Sequence, residues 1–573
     1  MNKAIRQSFI ITILLFLSTS GADAQVAIGE WRTHLSYNLG NLVMVTNEKV
    51  YCSTTGGLFY YNTSDNSINL LSKTEGLSDN GVDAMSWNTE KQLALLAYKN
   101  ANLDLISGNE IINIPDIMKK QLPGDKTIYD VYFNGGKAYL SCGFGIVVVD
   151  IERFEISETY LIGENGDRLK VNQVTSDGDY LYAATDMGIR RADMSGNFLM
   201  DFNSWELVTG MPDSDGIFGS IVYYNNRLFA VYKDPLGEQD RIYYYDGSWV
   251  LYRDFPGSVC DEVRISGGNL LFTGEEGVEM MNTSFRFVDS YTGGNPRSAS
   301  LGADGTLWIA DNGRGLVKYD GVEEATIKPN GPLRSLAFDM ASSDGILYAV
   351  SGGVTTTYNN IFRNASVHRF KDKLWNTKIN YDYNDLITMA IDPSDPGHFF
   401  AGSWGYGLFE YRDWELEMVY DETNSSLQNV DRTGNIIRIG GVAYDQESNL
   451  WMTNTGVSAP ISVLKADGTW KNFKFDGLLS SYPALGEVVV TRDNHIWGII
   501  NKGGGLFAMD HNGTIDNEED DIYTLVSVED ENGNVITNDI YSMAEDQNGS
   551  LWLGTGQGIL VFYSPSLLFE NGR

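Results

Sequence analysis

One phrase returns along this chain and constrains its fold more than anything else: a polar turn, an apolar strand, a glycine-containing turn and a second apolar strand. Clear copies are Gly302-Ala303-Asp304-Gly305-Thr306-Leu307-Trp308-Ile309-Ala310, running on to Gly315-Leu316-Val317, and Asp546-Gln547-Asn548-Gly549-Ser550-Leu551-Trp552-Leu553-Gly554, running on to Gly558-Ile559-Leu560. The glycine before the second strand falls at Gly57, Gly145, Gly188, Gly277, Gly315, Gly407, Gly505 and Gly558. Its spacing is close to either ~44 residues or twice that, the period of a four-stranded propeller blade. Degenerate strand pairs at 92–106, 227–245, 346–370 and 449–464 fill the wide intervals. The strands are short, rich in Tyr, Val, Ile, Phe and Trp, and bounded by Asp, Asn and Gly. One such sheet cannot cover both its faces, and stacking neighbours around an axis does. No long stretch has helical periodicity, which removes parallel α/β layouts. The expectation is an all-β chain of tandem β-propellers, the first seven-bladed and the second with five blades present.

Local signals divide the chain. Lys3 and Arg6, the apolar run Phe9 to Leu17 and Ala22-Asp23-Ala24 form an export signal over 1–24, with cleavage after Ala24. The run is far short of the ~20 residues of a spanning helix. The first propeller is expected over 25–330, with a linker at Glu323 to Pro332, and the second over 331–573. The second reads as incomplete, because its last strand pair runs into Ser564 to Phe569 with no closing strand. Trp205, Trp249, Trp375 and Trp470 each follow a turn and open an outer strand. Trp31 has the same form but precedes the first blade, so 31–37 is predicted as the closing outer strand of the seventh blade. Val322 to Ile327 is the rival for that slot.

Charge and motif content narrow the function. The chain carries 41 Lys and Arg against 76 Asp and Glu, a net charge of −35. Such a surface repels phosphate backbones and excludes nucleic acid as a partner. Cys52, Cys142 and Cys260 sit in different repeats without a C-x-x-C, so they read as buried thiols. There is no G-x-S-x-G and no H-E-x-x-H, and His34, His368, His398, His495 and His511 form no metal spacing. The chain therefore reads as non-enzymatic, without cofactor or metal; a propeller glycosidase or lyase is the third class. The acid-rich segment Asp510 to Asp521 can be imagined around calcium, but it lacks the EF-hand order and reads as a solvated loop. Trp404 and Tyr406, in the turn Ser403 to Gly407 taken as joining the two inner strands, are the candidates for stacking on a sugar. Arg314 and Lys502 occupy comparable turns and are the candidates for meeting an anionic group.

The phrase D-x-x-G-x-L-W-[IL]-G-T-x-x-G-[IL] resembles the two-component regulator propeller repeat of Bacteroidota sensor and surface proteins. Asp546 to Ile559 carries it closely and Asp304 to Leu316 loosely. The opening, Gly29-Glu30-Trp31-Arg32-Thr33-His34-Leu35-Ser36-Tyr37 followed by Val50 to Phe59, resembles the PorZ-like proteins of the type IX secretion system. That resemblance implies two seven-bladed propellers followed by a C-terminal β-sandwich sorting domain; this chain departs from it by stopping five blades into the second ring. It also implies a non-enzymatic scaffold, exported to the periplasm or outer-membrane surface of a Gram-negative, Bacteroidota-like cell. Its implied partners are the attachment complex, which includes a sortase-like peptidase, and anionic lipopolysaccharide. The rival reading is the glycan-sensing ectodomain of a hybrid two-component regulator.

Overall fold

The computed structural model describes residues 31–570 except 197, 256–258, 431–435, 476–477, 480–482 and 531. The export signal over 1–24 and its cleavage site lie outside them. The chain is almost entirely β. Four-stranded antiparallel meanders follow one another at 40–71, 82–114, 128–160, 171–207, 218–254, 260–292 and 296–327. The first strands of successive sheets lie side by side around an axis, and the strand Gly40–Val45 returns to lie against Pro296–Leu301. Further meanders occupy 339–384, 386–420, 439–473 and 485–526, and a three-stranded sheet 540–562, with the same side-by-side packing of first strands. The expected propeller architecture is what the chain adopts.

The repeated phrase has a physical explanation. Asp546 opens the turn between the first and second strands of its sheet. One carboxylate oxygen accepts from the Asn548 and Ser550 amides at 2.8 and 2.9 Å, and the other from the Trp552 indole at 2.9 Å. Asp445 does the same with Glu447, Asn449 and Trp451. The aspartate thus shapes the hairpin and fixes the tryptophan six residues on, which is why both residues recur at that spacing. Trp249, Trp375 and Trp470 lie on outermost strands, as their pattern suggested.

A second repeat is invisible in the glycine ruler. Every innermost strand except Asp339–Ser343 carries a bulge at its second residue, as at Phe218/Ser220 and Leu386/Thr388. At five sheet junctions the amide just past the bulge is taken by a side chain of the preceding innermost strand. Gln173 accepts from Ile221 N–H at 3.0 Å, Glu262 from Ala299 at 3.3 Å and Ser298 from Val43 at 3.2 Å. Asp339 accepts from Met389 at 2.8 Å, and Glu487 from Met543 at 3.2 Å. The Ser298 bond joins the seventh sheet to the first. Apolar clusters fill the wedges outside these clasps, such as Leu95, Leu105, Leu140 and Val147 between the second and third sheets. Cys52, Cys142 and Cys260 are buried and free, and burial pushes all three thiols well up.

The predicted closing strand is corrected. Residues 31–37 form no strand, and the outer strand of the seventh sheet is Glu324–Ile327, paired from Leu316↔Ile327 to Tyr319↔Glu324. The rival wins because it follows through a tight turn: Asp320 accepts from the Val322 and Glu323 amides at 3.0 and 2.8 Å. Closing a short loop costs far less entropy than recruiting a segment some 290 residues away. Trp31 is 88% exposed. The segment instead runs along the junction between the rings. Ser36 donates its hydroxyl to Leu333 O at 2.6 Å, and its amide donates to Ser335 Oγ at 2.8 Å. Trp375 Nε1 donates to His34 Nδ1 at 3.0 Å, and the His34 ring lies 4.7 Å from Phe370. Tyr37 is buried in the core between the seventh and first sheets, 5.6 Å from Phe59.

Two outcomes follow from these contacts. Tyr37→Ala should lower unfolding free energy by about 3 kcal/mol in urea titrations. Tyr37→Phe should be neutral or stabilising, because its buried hydroxyl has no partner among the described residues. Glu487 gives the pH test. Burial pushes its carboxyl up to about 7, with nearby Asp339 adding to the effect. A carboxyl raised in the folded state costs nothing below its unfolded value and costs most once pH exceeds the folded value. Glu487→Gln keeps an acceptor for Met543, as Gln173 does for Ile221. It should stabilise by about 1–3 kcal/mol at pH 8 and leave stability unchanged at pH 4.

Candidate functional site

Most connections in this fold are tight hairpins, and the one between Ile346–Val350 and Asn364–Lys371 is not. It is held by a fully buried carboxylate. Asp385 accepts from the backbone amides of Ile361, Phe362 and Arg363 at 3.1, 3.0 and 3.0 Å. Arg363 staples the base of the loop by donating to Ser351 O and Gly352 O at 2.9 and 2.7 Å. The loop so fixed carries Tyr358 to the Trp404 indole, whose Nε1 donates to Tyr358 O at 2.9 Å with ring centres 6.3 Å apart. Lys502 Nζ stands 6.0 Å from the Tyr358 ring. The Arg438 guanidinium lies 5.4 Å from the Trp404 ring, and Arg438 donates weakly to Asn360 Oδ1 at 3.4 Å.

Arg438 and Lys502 have no ion pair among the described residues, and the buried Arg438 Nε has no hydrogen-bond partner there. Burial lowers the Arg438 pKa from its ordinary value. A cation held without a carboxylate, in a chain so rich in acid, is the electrostatic oddity of this site. Asp539 and Tyr541 flank Tyr358 and raise the pKa of its phenol further after burial has done so.

The structure brings Trp404, Tyr406 and Lys502 to one neighbourhood and leaves Arg314 in the other ring. The turn Ser403 to Gly407 joins the second and third strands of its sheet, not the two innermost, so it stands farther from the axis than expected. Trp404 is only 2% exposed and serves as the floor under Tyr358. Tyr406 is 37% exposed and packs edge-on against Tyr383 at 5.3 Å. Arg314 is committed: it bonds Asp311 at 3.0 Å, Glu324 at 2.8 Å and the Tyr291 hydroxyl, and these partners hold its pKa above the ordinary value. Tyr358 and Arg438 were missed by sequence reasoning; the unusually long polar run Thr355 to Asn360 was the available signal.

Two other places were weighed. The acidic loop is pinned by the neighbouring sheet, Asp516 to Lys465 and Glu518 to Lys471 at 3.1 Å each. No group of three or more metal-ligating side chains is found among the described residues. The axis of the first ring holds a cavity of about 450 Å³ lined in part by Asp130, Gln173, Thr175 and Arg264. Arg264 is spent on Val43 O at 2.7 Å and Glu262 at 2.5 Å, and burial pushes Asp130 up to about 7 against the pull of Arg264.

Comparison with known proteins places these features. Residues 50–206 match the family described as the TSS9, PorZ, N-terminal beta-propeller domain, and residues 534–557 the two component regulator propeller. No curated protein matches the chain. The solved structure of PorZ from Porphyromonas gingivalis, described as an essential bacterial surface component of the type-IX secretion system, superposes with a TM-score of 0.83 at 22% identity, covering 95% of this chain and 74% of that one. The extracellular domain of a putative hybrid two component system from B. thetaiotaomicron matches with a TM-score of 0.36 at 15% identity, covering 87% of this chain and 77% of that one. The chain therefore shares the β-propeller fold of that structure, and residues 50–206 carry the likeness to the PorZ N-terminal domain.

Asp385→Asn should lower stability by about 2–3 kcal/mol, since an amide meets three amide donors with one acceptor oxygen. Amide exchange should quicken at 361–363, and the Trp404 fluorescence should shift as Tyr358 lifts away.

Proposed function

We propose that this protein is an exported, non-enzymatic scaffold of the type IX secretion attachment machinery, acting by binding at the cell surface or in the periplasm. Its partners in this reading are proteins of the attachment complex, a sortase-like peptidase among them, and anionic lipopolysaccharide. The observation that carries the glycan part is the pair Arg438 and Lys502, without an ion pair among the described residues, beside the aromatic rings of Trp404 and Tyr358. Aromatic faces suit sugar rings, and cations without a carboxylate partner suit phosphate or carboxylate substituents. The net charge of −35 opposes a long anionic polymer, so contact is local or bridged by divalent ions. The match of residues 534–557 to the regulator repeat supports a second reading, a glycan-sensing ectodomain, in which the same site binds a saccharide and signals.

Titration with purified lipopolysaccharide, with and without chelator, tests the site. Lys502→Glu and Tyr358→Ala should each weaken binding at least ~fivefold, by roughly 1 kcal/mol. Strong, chelator-insensitive binding untouched by both substitutions overturns it. Cleavage of any glycan at a rate that follows protein purity overturns the scaffold reading itself.

A further inference from the structure

A groove of about 780 Å³ lies on the flank of the first ring, over the sheet at 128–160. Its floor is the buried pair Ile117 and Phe144. One wall is the strand Glu155–Tyr160, through Ile156 and Thr159; this strand is outermost in its sheet and has one edge without a strand partner among the described residues. The opposite rim is the helix Asp116–Lys119 with the loop after it, and the loop that follows the edge strand. The helix end and these two loops set Lys119, Lys120 and Arg168 around the groove, all exposed and none in an ion pair among the described residues. Asp116 is the one acid lining it. The acids of the edge strand are engaged elsewhere: Glu158 pairs with Lys137 at 2.6 Å and Glu155 with Arg153 at 3.7 Å.

We propose that this groove docks an extended acidic segment of another protein, added as a strand to the free edge of Glu155–Tyr160. An edge strand offers amide and carbonyl groups at strand spacing, and an apolar floor takes alternate side chains. Three uncompensated cations, in a chain with nearly twice as many acids as bases, select a partner of negative charge. Lysines that merely guard an edge against pairing stand on the edge strand itself. Here the cations stand across a groove from it, where they attract a strand rather than block one. A concave slot beside a sheet edge fits an extended peptide and not the flat surface of a bilayer. The surface lies on the first ring and is independent of the second-ring glycan site.

The probe is a fluorescein-labelled alternating heptapeptide, EVDVELD, with KVKVKLK as control, read by fluorescence anisotropy on the full chain. The acidic probe should bind, weaken as salt rises, and protect amides of 155–160 from exchange. Combined Lys119→Glu, Lys120→Glu and Arg168→Glu should weaken it at least ~tenfold, and these exposed changes should leave the melting temperature unmoved. Leu161→Asp, at the groove wall, should weaken it without altering charge preference for the rest of the surface. Equal binding of the two peptides, no effect of the charge reversal, or capture of phosphatidylglycerol vesicles in place of the peptide overturns the proposal.

Discussion

An innermost strand has one side without a partner strand, so alternate amides point out of its ladder, and each must find an acceptor or carry an unpaid desolvation cost. In this chain the acceptor comes from the sheet before. Gln173, Glu262, Ser298, Asp339 and Glu487 each reach across one wedge and take the amide just past the next bulge. Sheet faces alone are slippery: apolar packing between twisted sheets specifies distance better than register. The clasp sets register, one strand against the next, close to the axis where small errors would grow toward the rim. Ser298 makes the first ring close by the same bond that builds it, because its acceptor meets Val43 at the start of the ring. The outer elements, including the loop under Tyr358, inherit their positions from this inner circle.

The large negative charge looks different once the turns are resolved. Asp150, Asp177, Asp193, Asp304, Asp467, Asp530 and Asp546 each accept from backbone amides two to four residues on. Such bonds hold Asp150 and Asp304 below the usual carboxylate range, and at Asp193 and Asp546 the Ser195 hydroxyl and the Trp552 indole lead in doing so. A fold with this many tight turns needs many short acceptors, and aspartate is one of the few residues that supplies them. Much of the acid is thus turn chemistry distributed over the surface, not a field aimed at a ligand. Against that background the informative charges are the cations left over. Arg314 satisfied its acids; Arg438, Lys502, Lys119, Lys120 and Arg168 did not.

The blade phrase was readable because its parts are local. The Asp turn, the tryptophan it binds and the glycine before the next strand all fall within about fifteen residues, and pattern carries that information. The clasps were not readable. Four of the five pair residues 37 to 56 apart and the fifth spans 255; their members differ in residue type and gain meaning only from which amides of the next strand lack a partner strand. Trp31 misled for a related reason: it shares the outer-strand form of Trp249 and Trp470, but form alone does not say whether the slot is already taken by Glu324–Ile327. Trp404 was found by its turn and assigned an exposed role, whereas the loop carrying Tyr358 covers it. A residue's exposure depends on segments far away in sequence, and no local pattern reports it.

Because the seventh sheet supplies its own outer strand, the N-terminal segment is released for a different task. It lies where the two rings meet and contacts both. Ser36 and Asn38 bond the linker at Leu333, and Thr54 of the first sheet donates to Ser36 O at 2.9 Å. Gly331 approaches the Leu35 carbonyl so closely that no side chain fits there. On the far side His34 sits against Phe370 and Trp375 of the first sheet of the second ring. The indole can donate to His34 Nδ1 only while that nitrogen is unprotonated. Burial, aided by Arg32, lowers the His34 pKa and favours that form. A linker alone would leave the two rings free to swing. Contacts from the segment to the linker and to each ring brace this connection beyond what the linker alone supplies.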